Sequence, residues 1–500
     1  MPPMIEALLN FPECFDHPVE RTRLIETHIS WVILTGTYAY KIKKPVNLGF
    51  LDFSTLEKRL EYCREELRLN RRLAAEYYLD VVTISGSMNA PRVGGNGPVL
   101  EYAVKMLEFP ADATLDLLAD RGELKALHID LLAERIARFH LYESAVLPYG
   151  SPWGGIDAIT RPVRDNFATL AKLLDDATEK KSLENLERWC EEEHKRLANF
   201  MAKRTVRECH GDLHLANVAW NDSKPIIFDC LEFDPLLRWI DPISEVAFCY
   251  MDLLHRNCEP LAWRFLNAWL SATGDYQGVA LLSYYASYRA MVRAKVAGLR
   301  AEQEKDNRDA LRERSEFLKL AIRLSGRRPP ALWITHGLSG SGKSTLAQAL
   351  LEERGMIRLR SDVERKRISR LSALEKSGSG IGEGLYSKEA SRKAYSRLYD
   401  LAEGLIGEGY PVIVDAAFLE RSQRDLFRSL AKRMHADFRI IDLEAPAEIL
   451  RERIRARQVK GLDASEADLC VLEHQLATAM PLGEDELADT IRIPVEVKKL

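Results

Sequence analysis

The stretch RECHGDLHLANVAW, residues 207–220, places an aspartate behind His-Gly and an asparagine five positions later. In phosphoryl transfer Asp212 would accept or orient the proton of an acceptor hydroxyl, and Asn217 would ligate Mg²⁺. Asp229 follows the apolar run PIIF and is a second candidate metal ligand, while Glu232 either assists the metal or stabilises the turn. This part of the chain therefore predicts a site that moves a phosphoryl group from ATP to a hydroxyl.

A lysine and a glutamate far upstream belong to the same candidate site. Lys41 in YAYK matches the lysine of the V-A-I-K pattern, which contacts the ATP phosphates, and Glu66 is its expected ion-pair partner. Glu65 is the nearest rival of Glu66, and the competing lysines are Lys43 and Lys44. The choice of Lys41 rests on the Ala-x-Lys match alone.

A second pattern for holding ATP lies downstream. The segment GLSGSGKS satisfies G-x-x-x-x-G-K-[ST] between an apolar strand and a helix, so its backbone N–H groups would surround the phosphates. Lys343 would reach the β- and γ-phosphates, and Ser344 would ligate Mg²⁺. The predicted nucleotide-binding residues are Gly337, Leu338, Ser339, Gly340, Ser341, Gly342, Lys343, Ser344 and Thr345.

Four charged residues are candidates to complete this second site. Asp362 in MIRLRSD and Asp415 in PVIVD end predicted parallel strands, the edge at which such sheets bind ligands. Asp415 would hold Mg²⁺ through water, and Asp362 would orient or deprotonate an acceptor hydroxyl unless it is a helix N-cap. Arg453 and Arg457 either close over the phosphates or face water on a basic helix that ends in a Gly-Leu-Asp turn at 461–463.

The elements that must position these residues differ between the two halves. HISWVILTG and YAYKIKKPV predict a hairpin around Gly36 and Thr37, and the charged run 56–78 has the apolar spacing of an amphipathic helix. VVTISGSM and VLEYAVKMLEF predict two more strands around a loop at 89–98, and the remainder to residue 324 is mainly helical. After residue 330, strands alternate with helices, which is typical of a parallel α/β domain.

A chain of 500 residues exceeds the size of a single core, and SGRRPP is its best linker because glycine and proline cannot continue a helix. We therefore predict a kinase-like domain at 1–326, a linker at 327–330 and a P-loop domain at 331–500. Each half is expected to fold alone.

The composition is that of an ordinary globular protein, with 46% hydrophobic residues, 29% charged residues and a net charge of −4. This balance gives no overall attraction to nucleic acid or to an anionic membrane. The eight scattered cysteines are typical of reduced thiols, and we find neither a signal peptide nor an apolar run long enough to span a bilayer. We expect a cytoplasmic protein.

The motifs of residues 25–300 resemble the aminoglycoside phosphotransferase and choline kinase families, a branch of the protein-kinase fold. Asp229 is followed by no A-P-E segment, and Asp241-Pro242 is similar to the G-D-P-x-x-D stretch of these families, in which the aspartate braces the catalytic loop. The resemblance implies a bilobal fold and a small-molecule acceptor. The sequence departs from the pattern by lacking a G-x-G-x-x-G loop and by placing Cys230 and Leu231 where D-F-G has phenylalanine and glycine.

Residues 331–495 resemble small P-loop kinases such as gluconate kinase, chloramphenicol phosphotransferase, polynucleotide kinase domains and zeta toxins, with SDVERKR and DASEAD carrying the resemblance. The whole chain resembles bacterial fusions of an aminoglycoside phosphotransferase-like domain with a P-loop ATP-binding domain. We expect a bifunctional phosphotransferase that uses ATP and Mg²⁺, with a small-molecule hydroxyl acceptor in each half. The alternatives are a P-loop kinase acting on a nucleic-acid end or a nucleotide, and an N-terminal half that is a partner or a regulatory pseudokinase.

Overall fold

The computed structural model describes residues 1–494 apart from 50, 111, 149, 305–306, 373–374, 376–386 and 461–464. The Gly-Leu-Asp turn predicted at 461–463 lies outside the described residues. The chain packs into two compact units, one of Met1–Asp252 with Tyr288–Ser315 and the other of Leu253–Ser287 with Glu316–Leu500. No helix in the described part of the chain is long and apolar enough to cross a membrane.

The first unit contains a six-stranded antiparallel sheet in the order β1-β2-β3-β6-β4-β5 and two small ladders, β7 with β10 and β8 with β9. Its strands are β1 Arg23–Glu26, β2 Ser30–Leu34, β3 Tyr38–Lys43, β4 Tyr78–Ser87, β5 Ala90–Val93, β6 Val99–Leu107, β7 Arg207–Glu208, β8 Val218–Asn221, β9 Lys224–Ile227 and β10 Trp239–Ile240.

The second unit contains a five-stranded parallel sheet in the order β12-β13-β11-β14-β15. Its strands are β11 Ala331–His336, β12 Ile357–Arg360, β13 Val412–Asp415, β14 Asp437–Glu444 and β15 Thr490–Pro494. The predicted parallel α/β architecture is confirmed.

The helices are α1 Pro3–Asn10, α2 Leu56–Ala74, α3 Leu115–Asp120, α4 Ala126–Arg138, α5 Ile156–Leu173, α6 Ala177–Met201, α7 Pro235–Arg238, α8 Pro242–His255, α9 Glu259–Thr273, α10 Leu282–Gln303, α11 Arg308–Ser325, α12 Lys343–Arg354, α13 Ser361–Ile368, α14 Lys388–Gly407, α15 Arg421–Arg433, α16 Ala447–Lys460 and α17 Leu469–Thr478.

The predicted hairpin is confirmed as β2 and β3, joined at Gly36, whose φ of 92° is accessible to glycine at little cost. Helix α2 begins at an N-cap, Thr55, whose side chain accepts a hydrogen bond from the Lys58 N–H. One face of α2 packs on the sheet through Cys63 and Leu67. Glu66 lies among the buried residues of this helix and is carried toward the strand that holds the lysines.

In the second unit, helix α9 covers the edge of the parallel sheet. The Asn267 amide donates to the Met356 carbonyl oxygen at 2.9 Å and accepts from the Arg358 N–H at 2.7 Å. These two bonds occupy a backbone N–H of the edge strand β12 and the carbonyl oxygen just before that strand, as a further strand would. Residues 253–287 therefore pack with the P-loop half, although they precede the predicted linker.

Several details of the predicted elements are wrong. The helix predicted over 56–78 ends at Ala74, and Tyr78 begins β4. The predicted loop at 89–98 contains β5, which pairs with β4, and the final strand β15 was not predicted at all. The strand predicted to end at Asp362 ends at Arg360, and Asp362 lies in the first turn of α13 with Arg360 at the N-cap position. Helix α11 ends at Ser325 and β11 begins at Ala331, which leaves the predicted linker segment without regular structure; the domain boundaries themselves stay a prediction.

Candidate active sites

The loop between β7 and β8 brings Asp212 and Asn217 together. The Asn217 Nδ2 donates to the backbone oxygen of Asp212 at 2.9 Å and to its Oδ2 at 3.2 Å. These bonds engage the amide nitrogen, so the amide oxygen is the atom that Asn217 offers to a cation. The Asp212 side chain is 37% exposed, which leaves its carboxylate accessible to an incoming hydroxyl.

The surroundings of Asp212 favour its ionised form. Burial raises the pKa of the Asp212 carboxyl, but His214, whose Nε2 lies 3.5 Å from Oδ2, together with Arg293 and His210 outweighs burial and holds the pKa well below its usual range. A carboxylate with a low pKa is a weak base. Asp212 is therefore suited to orienting a hydroxyl more than to removing its proton early in the reaction.

The loop that carries Asp212 is held by Glu245, a residue that was not selected from the sequence. The buried Glu245 of α8 accepts the N–H groups of His210 at 2.6 Å and Gly211 at 2.9 Å, and its other oxygen lies 2.9 Å from His140 Nε2. Asp241, at the start of the same motif, pairs instead with Arg204 at 2.7 Å. The final position of D-P-x-x-D, filled here by glutamate, was the signal that could have found Glu245.

A largely buried cluster of two lysines and three carboxylates lies beside this loop. Lys41 contacts Glu66 Oε1 at 2.8 Å and also pairs with Asp229. Lys43 contacts Glu66 Oε2 at 2.6 Å and also pairs with Glu232. The predicted partners Lys41 and Glu66 therefore lie in contact, and the rival Lys43 shares the same glutamate.

The other two rivals face elsewhere. Glu65 pairs with Arg68 at 2.7 Å and with Arg238 at 2.8 Å, and Lys44 pairs with Glu26 at 2.6 Å. Their ion-pair partners are therefore different from those of Lys41 and Glu66.

The electrostatics of the cluster keep Lys41 charged. Burial lowers the pKa of Lys41, but Asp229 and Glu66 outweigh burial and raise the pKa well above its ordinary value. Burial raises the pKa of Glu232 against the opposing charge of Lys43. Asp229 adopts a φ of 63°, rare for a residue with a side chain, and its N–H donates to the Tyr78 hydroxyl at 3.2 Å.

The donor set of this first site fits Mg²⁺, which prefers oxygen ligands. Asn217 offers its amide oxygen, and Asp229 has a side chain that is 43% exposed with one oxygen on Lys41. These two residues would hold the ion. An ion held there would supply positive charge to offset that of the phosphates.

In the second unit the glycine loop connects β11 to α12. A side chain at Gly337, whose φ is 139°, would place its Cβ 2.6 Å from the Leu443 carbonyl oxygen, so only glycine fits there. Lys343 at the start of α12 donates to the Leu338 carbonyl oxygen at 2.7 Å, which folds its side chain back along the loop. The Ser339 N–H donates to the Gln475 side-chain oxygen at 2.8 Å, a contact that the sequence did not reveal.

Ser344 and Asp415 form the candidate metal position of this loop. The Ser344 hydroxyl donates to Asp415 Oδ1 at 3.2 Å. Asp415 Oδ2 is buried and has no hydrogen-bond partner among the described residues, with Arg360 at 3.7 Å as an ion pair. A buried carboxylate oxygen of this kind fits a hydrated Mg²⁺, which Ser344 would ligate and Asp415 would hold through water.

Lys343 and Asp362 line one cleft of about 1880 Å³ with the glycine loop, Arg453 and Arg457. Burial lowers the pKa of Lys343 to about 8; Asp415 and Asp362 oppose this and Arg457 adds to it. Asp362 is the second residue of α13, with Arg365 at 3.9 Å, and is not its N-cap.

The two candidate lid arginines differ in their contacts. Arg453 Nη1 lies 3.5 Å from the Gly340 carbonyl oxygen of the glycine loop, and Arg457 donates to the Ala467 carbonyl oxygen. Both arginines line the cleft, so neither lies on a face directed wholly to water.

These two arrangements define an enzyme with a kinase-type activity, built from a kinase-like phosphotransferase fold and a P-loop kinase-like fold. A family model described as "Phosphotransferase enzyme family" matches residues 55–282, and one described as "AAA domain" matches residues 332–482.

The chain is similar along nearly its whole length to uncharacterized protein Rv2004c of Mycobacterium tuberculosis, with 30% identity over 468 residues that cover 92% of each protein. It belongs to the same family as that protein.

Two solved structures are similar to parts of the chain. A choline/ethanolamine kinase family protein from Mesorhizobium loti is 10% identical, with 61% of this chain and 87% of that one covered and a TM-score of 0.40. A sugar kinase from Janibacter sp. is 23% identical, with 33% of this chain and 86% of that one covered and a TM-score of 0.26.

Proposed function

We propose that this protein is a bifunctional ATP-dependent phosphotransferase in which each half transfers the γ-phosphoryl group of Mg·ATP to a hydroxyl of a small molecule. The observation that carries the proposal is that each unit holds its own complete set of groups. Asp212 lies beside Asn217 in the first unit, and Lys343, Ser344 and Asp415 share one cleft with Asp362 in the second.

In the first half, Asp212 orients the acceptor hydroxyl, Asn217 and Asp229 hold the metal, and Lys41 moves from Asp229 to the phosphates. In the second half, the loop N–H groups and Lys343 hold the phosphates, Asp362 orients the acceptor, and Arg453 and Arg457 stabilise the transferred charge. Positioning and charge neutralisation are what phosphoryl transfer requires from a protein, because the transition state needs little covalent help.

The test is ATP turnover by the full chain with panels of hydroxyl-bearing metabolites as acceptors. Asp212→Asn should slow one set of acceptor-dependent ADP release and Lys343→Ala the other, each by about 10²–10⁴-fold, because the first removes the charge that orients the acceptor hydroxyl and the second a charge that neutralises the phosphates. The exposed Asp309→Asn and Lys432→Ala are matched controls for the loss of the same charges.

If Asp212→Asn leaves every transfer intact and changes only the ATP affinity of the P-loop half, the first half is a regulator and the two-enzyme proposal is wrong. Oligonucleotides with 5′-hydroxyl ends form a further arm of the screen. Turnover with these alone, weakened steeply by salt, would assign the P-loop half to nucleic-acid ends instead.

A further inference from the structure

The charge cluster of the first unit contains an ion pair, Lys43 with Glu232, that is not needed to hold ATP. Glu66 divides its carboxylate between two lysines, with Oε1 on Lys41 at 2.8 Å and Oε2 on Lys43 at 2.6 Å. Lys43 is in turn paired with Glu232, and the side chains of both residues are at most 4% exposed. Lys43 and Glu232 have no role in the transfer proposed for this half.

The position of Lys43 makes its charge consequential. Its Nζ lies 4.8 Å above the Phe53 ring, and its side chain is fully buried, so water does not screen it. In such surroundings an ammonium group with a single carboxylate partner attracts both oxygens of that carboxylate. Glu232 supplies the second negative charge, and Lys43 therefore takes only one oxygen of Glu66.

Because Glu66 gives one carboxylate oxygen to each lysine, it controls how freely Lys41 can leave Asp229. Lys41 is held by one oxygen of Glu66 and by Asp229, the candidate metal ligand. When a cation takes Asp229, Lys41 must turn to the phosphates while Glu66 continues to orient it. A Glu66 carboxylate withdrawn toward Lys43 would leave Lys41 on Asp229, in competition with the metal.

We propose that Lys43 and Glu232 are positioning residues of the first site: as a neutral pair they hold Glu66 so that Lys41 is released from Asp229 when Mg·ATP binds. The closeness in sequence of Glu232 to Asp229 supports this, because the metal ligand and the outer carboxylate lie on one segment three residues apart. The inference rests on the proposed use of Mg·ATP by this half.

The experiment is calorimetric titration of Mg·ATP, and of ATP with EDTA, into the full chain carrying Lys343→Ala, so that binding reports the first site. Glu232→Gln should weaken Mg·ATP binding by about ten- to a hundredfold, the scale of one charge-assisted contact, and should change the metal-free ATP affinity less. Lys43→Met should act in the same direction, because the buried Glu232 is left without its cation and its charge then attracts Lys41, which is thereby held away from the phosphates.

The double variant Lys43→Met with Glu232→Gln separates positioning from mere stability. Removing both charges restores the neutrality around Glu66, so Mg·ATP affinity should return to within a few-fold of the parent protein. If either single variant does not fold, the Mg·ATP affinities of the other single variant and of the double variant are compared with that of the parent protein.

A matched control is Glu101→Gln, which breaks another buried pair of the same unit, Arg59 and Glu101, 2.8 Å apart. It should lower the unfolding temperature and leave Mg·ATP affinity unchanged. Single variants that behave like Glu101→Gln, or a double variant weaker than both single ones, would overturn the inference. Absence of ATP binding in the Lys343→Ala parent would instead refute the proposed function of this half, and the inference with it.

Discussion

Glu245 should determine how rigidly the Asp212 loop is held. Its Oε2 accepts two backbone N–H groups, from His210 at 2.6 Å and Gly211 at 2.9 Å, and the carboxylate is 1% exposed. Hydrogen bonds to a charged group contribute about 1.5–3 kcal/mol each, so Glu245→Ala should lower the free energy of local opening by about 3–6 kcal/mol.

A change of that size corresponds to about 10²–10⁴-fold faster exchange of the two amide hydrogens. Glu245→Gln keeps the shape and one acceptor oxygen but loses the charge, and because neutral hydrogen bonds are about half as strong, the increase should be about 10–10²-fold. Hydrogen–deuterium exchange of peptides covering residues 207–217, followed by mass spectrometry, measures both effects.

The control is Glu192→Ala, which removes an exposed glutamate from α6 and should leave the exchange of the same peptides unchanged.

The effect of Glu245 depends on pH. Burial raises the pKa of its carboxyl, but His140 and His210 outweigh burial, so the pKa is lowered in the folded protein. Its stabilising effect is therefore complete above the unfolded pKa and is lost as the pH falls through the folded one. Wild-type protection of the loop in a folded Glu245→Ala protein at neutral pH would refute this reasoning.

Two further predictions concern the P-loop half. Burial lowers the pKa of Lys343 to about 8, so the ATP affinity of the P-loop site should fall as the pH rises through 8, about tenfold for each pH unit above it. The ATP affinity of the first site should not change in that range, because the pKa of Lys41 is raised. ATP titrations from pH 7 to 9.5 with Lys41→Met and Lys343→Ala as the single-site proteins measure this, and equal pH profiles would contradict it. Asn267→Leu leaves the Met356 oxygen and the Arg358 N–H without their partner, so it should lower the free energy of unfolding of the P-loop half by about 2–4 kcal/mol. The urea concentration at the midpoint of unfolding should fall accordingly, whereas Asn10→Leu, at an exposed position, should leave it unchanged.

Strong local patterns were enough to predict the main elements. The hairpin with Gly36 and the glycine loop before α12 carry turn and loop residues whose backbone needs are local, so their structures follow from a few neighbouring residues. The strands β5 and β15, which were not predicted, lie at sheet edges. Strand β5 has only four residues, one of them Pro91, and is too short to show an alternating pattern.

The supporting contacts of the sites could not be predicted for a different reason. Lys43 and Glu232 are 189 residues apart, and nothing local distinguishes this pair from two solvated charges. Lys41 and Glu66 were chosen through a motif and a helix position, whereas the second lysine on Glu66 depends on how the sheet, α2 and the turn after β9 meet in space. The assignment of each site residue to a role stays a prediction.

The amide of Asn267 also bears on how such a chain can change in evolution. Residues 253–282 belong to the stretch that matches the phosphotransferase family, yet they close the open side of the parallel sheet. Exchanging either half for a relative by recombination within 327–330 would pair this sheet with a foreign helix, or with none. An uncovered strand can template pairing with other chains. The two halves are therefore expected to be inherited together, with α9 and β12 changing in step.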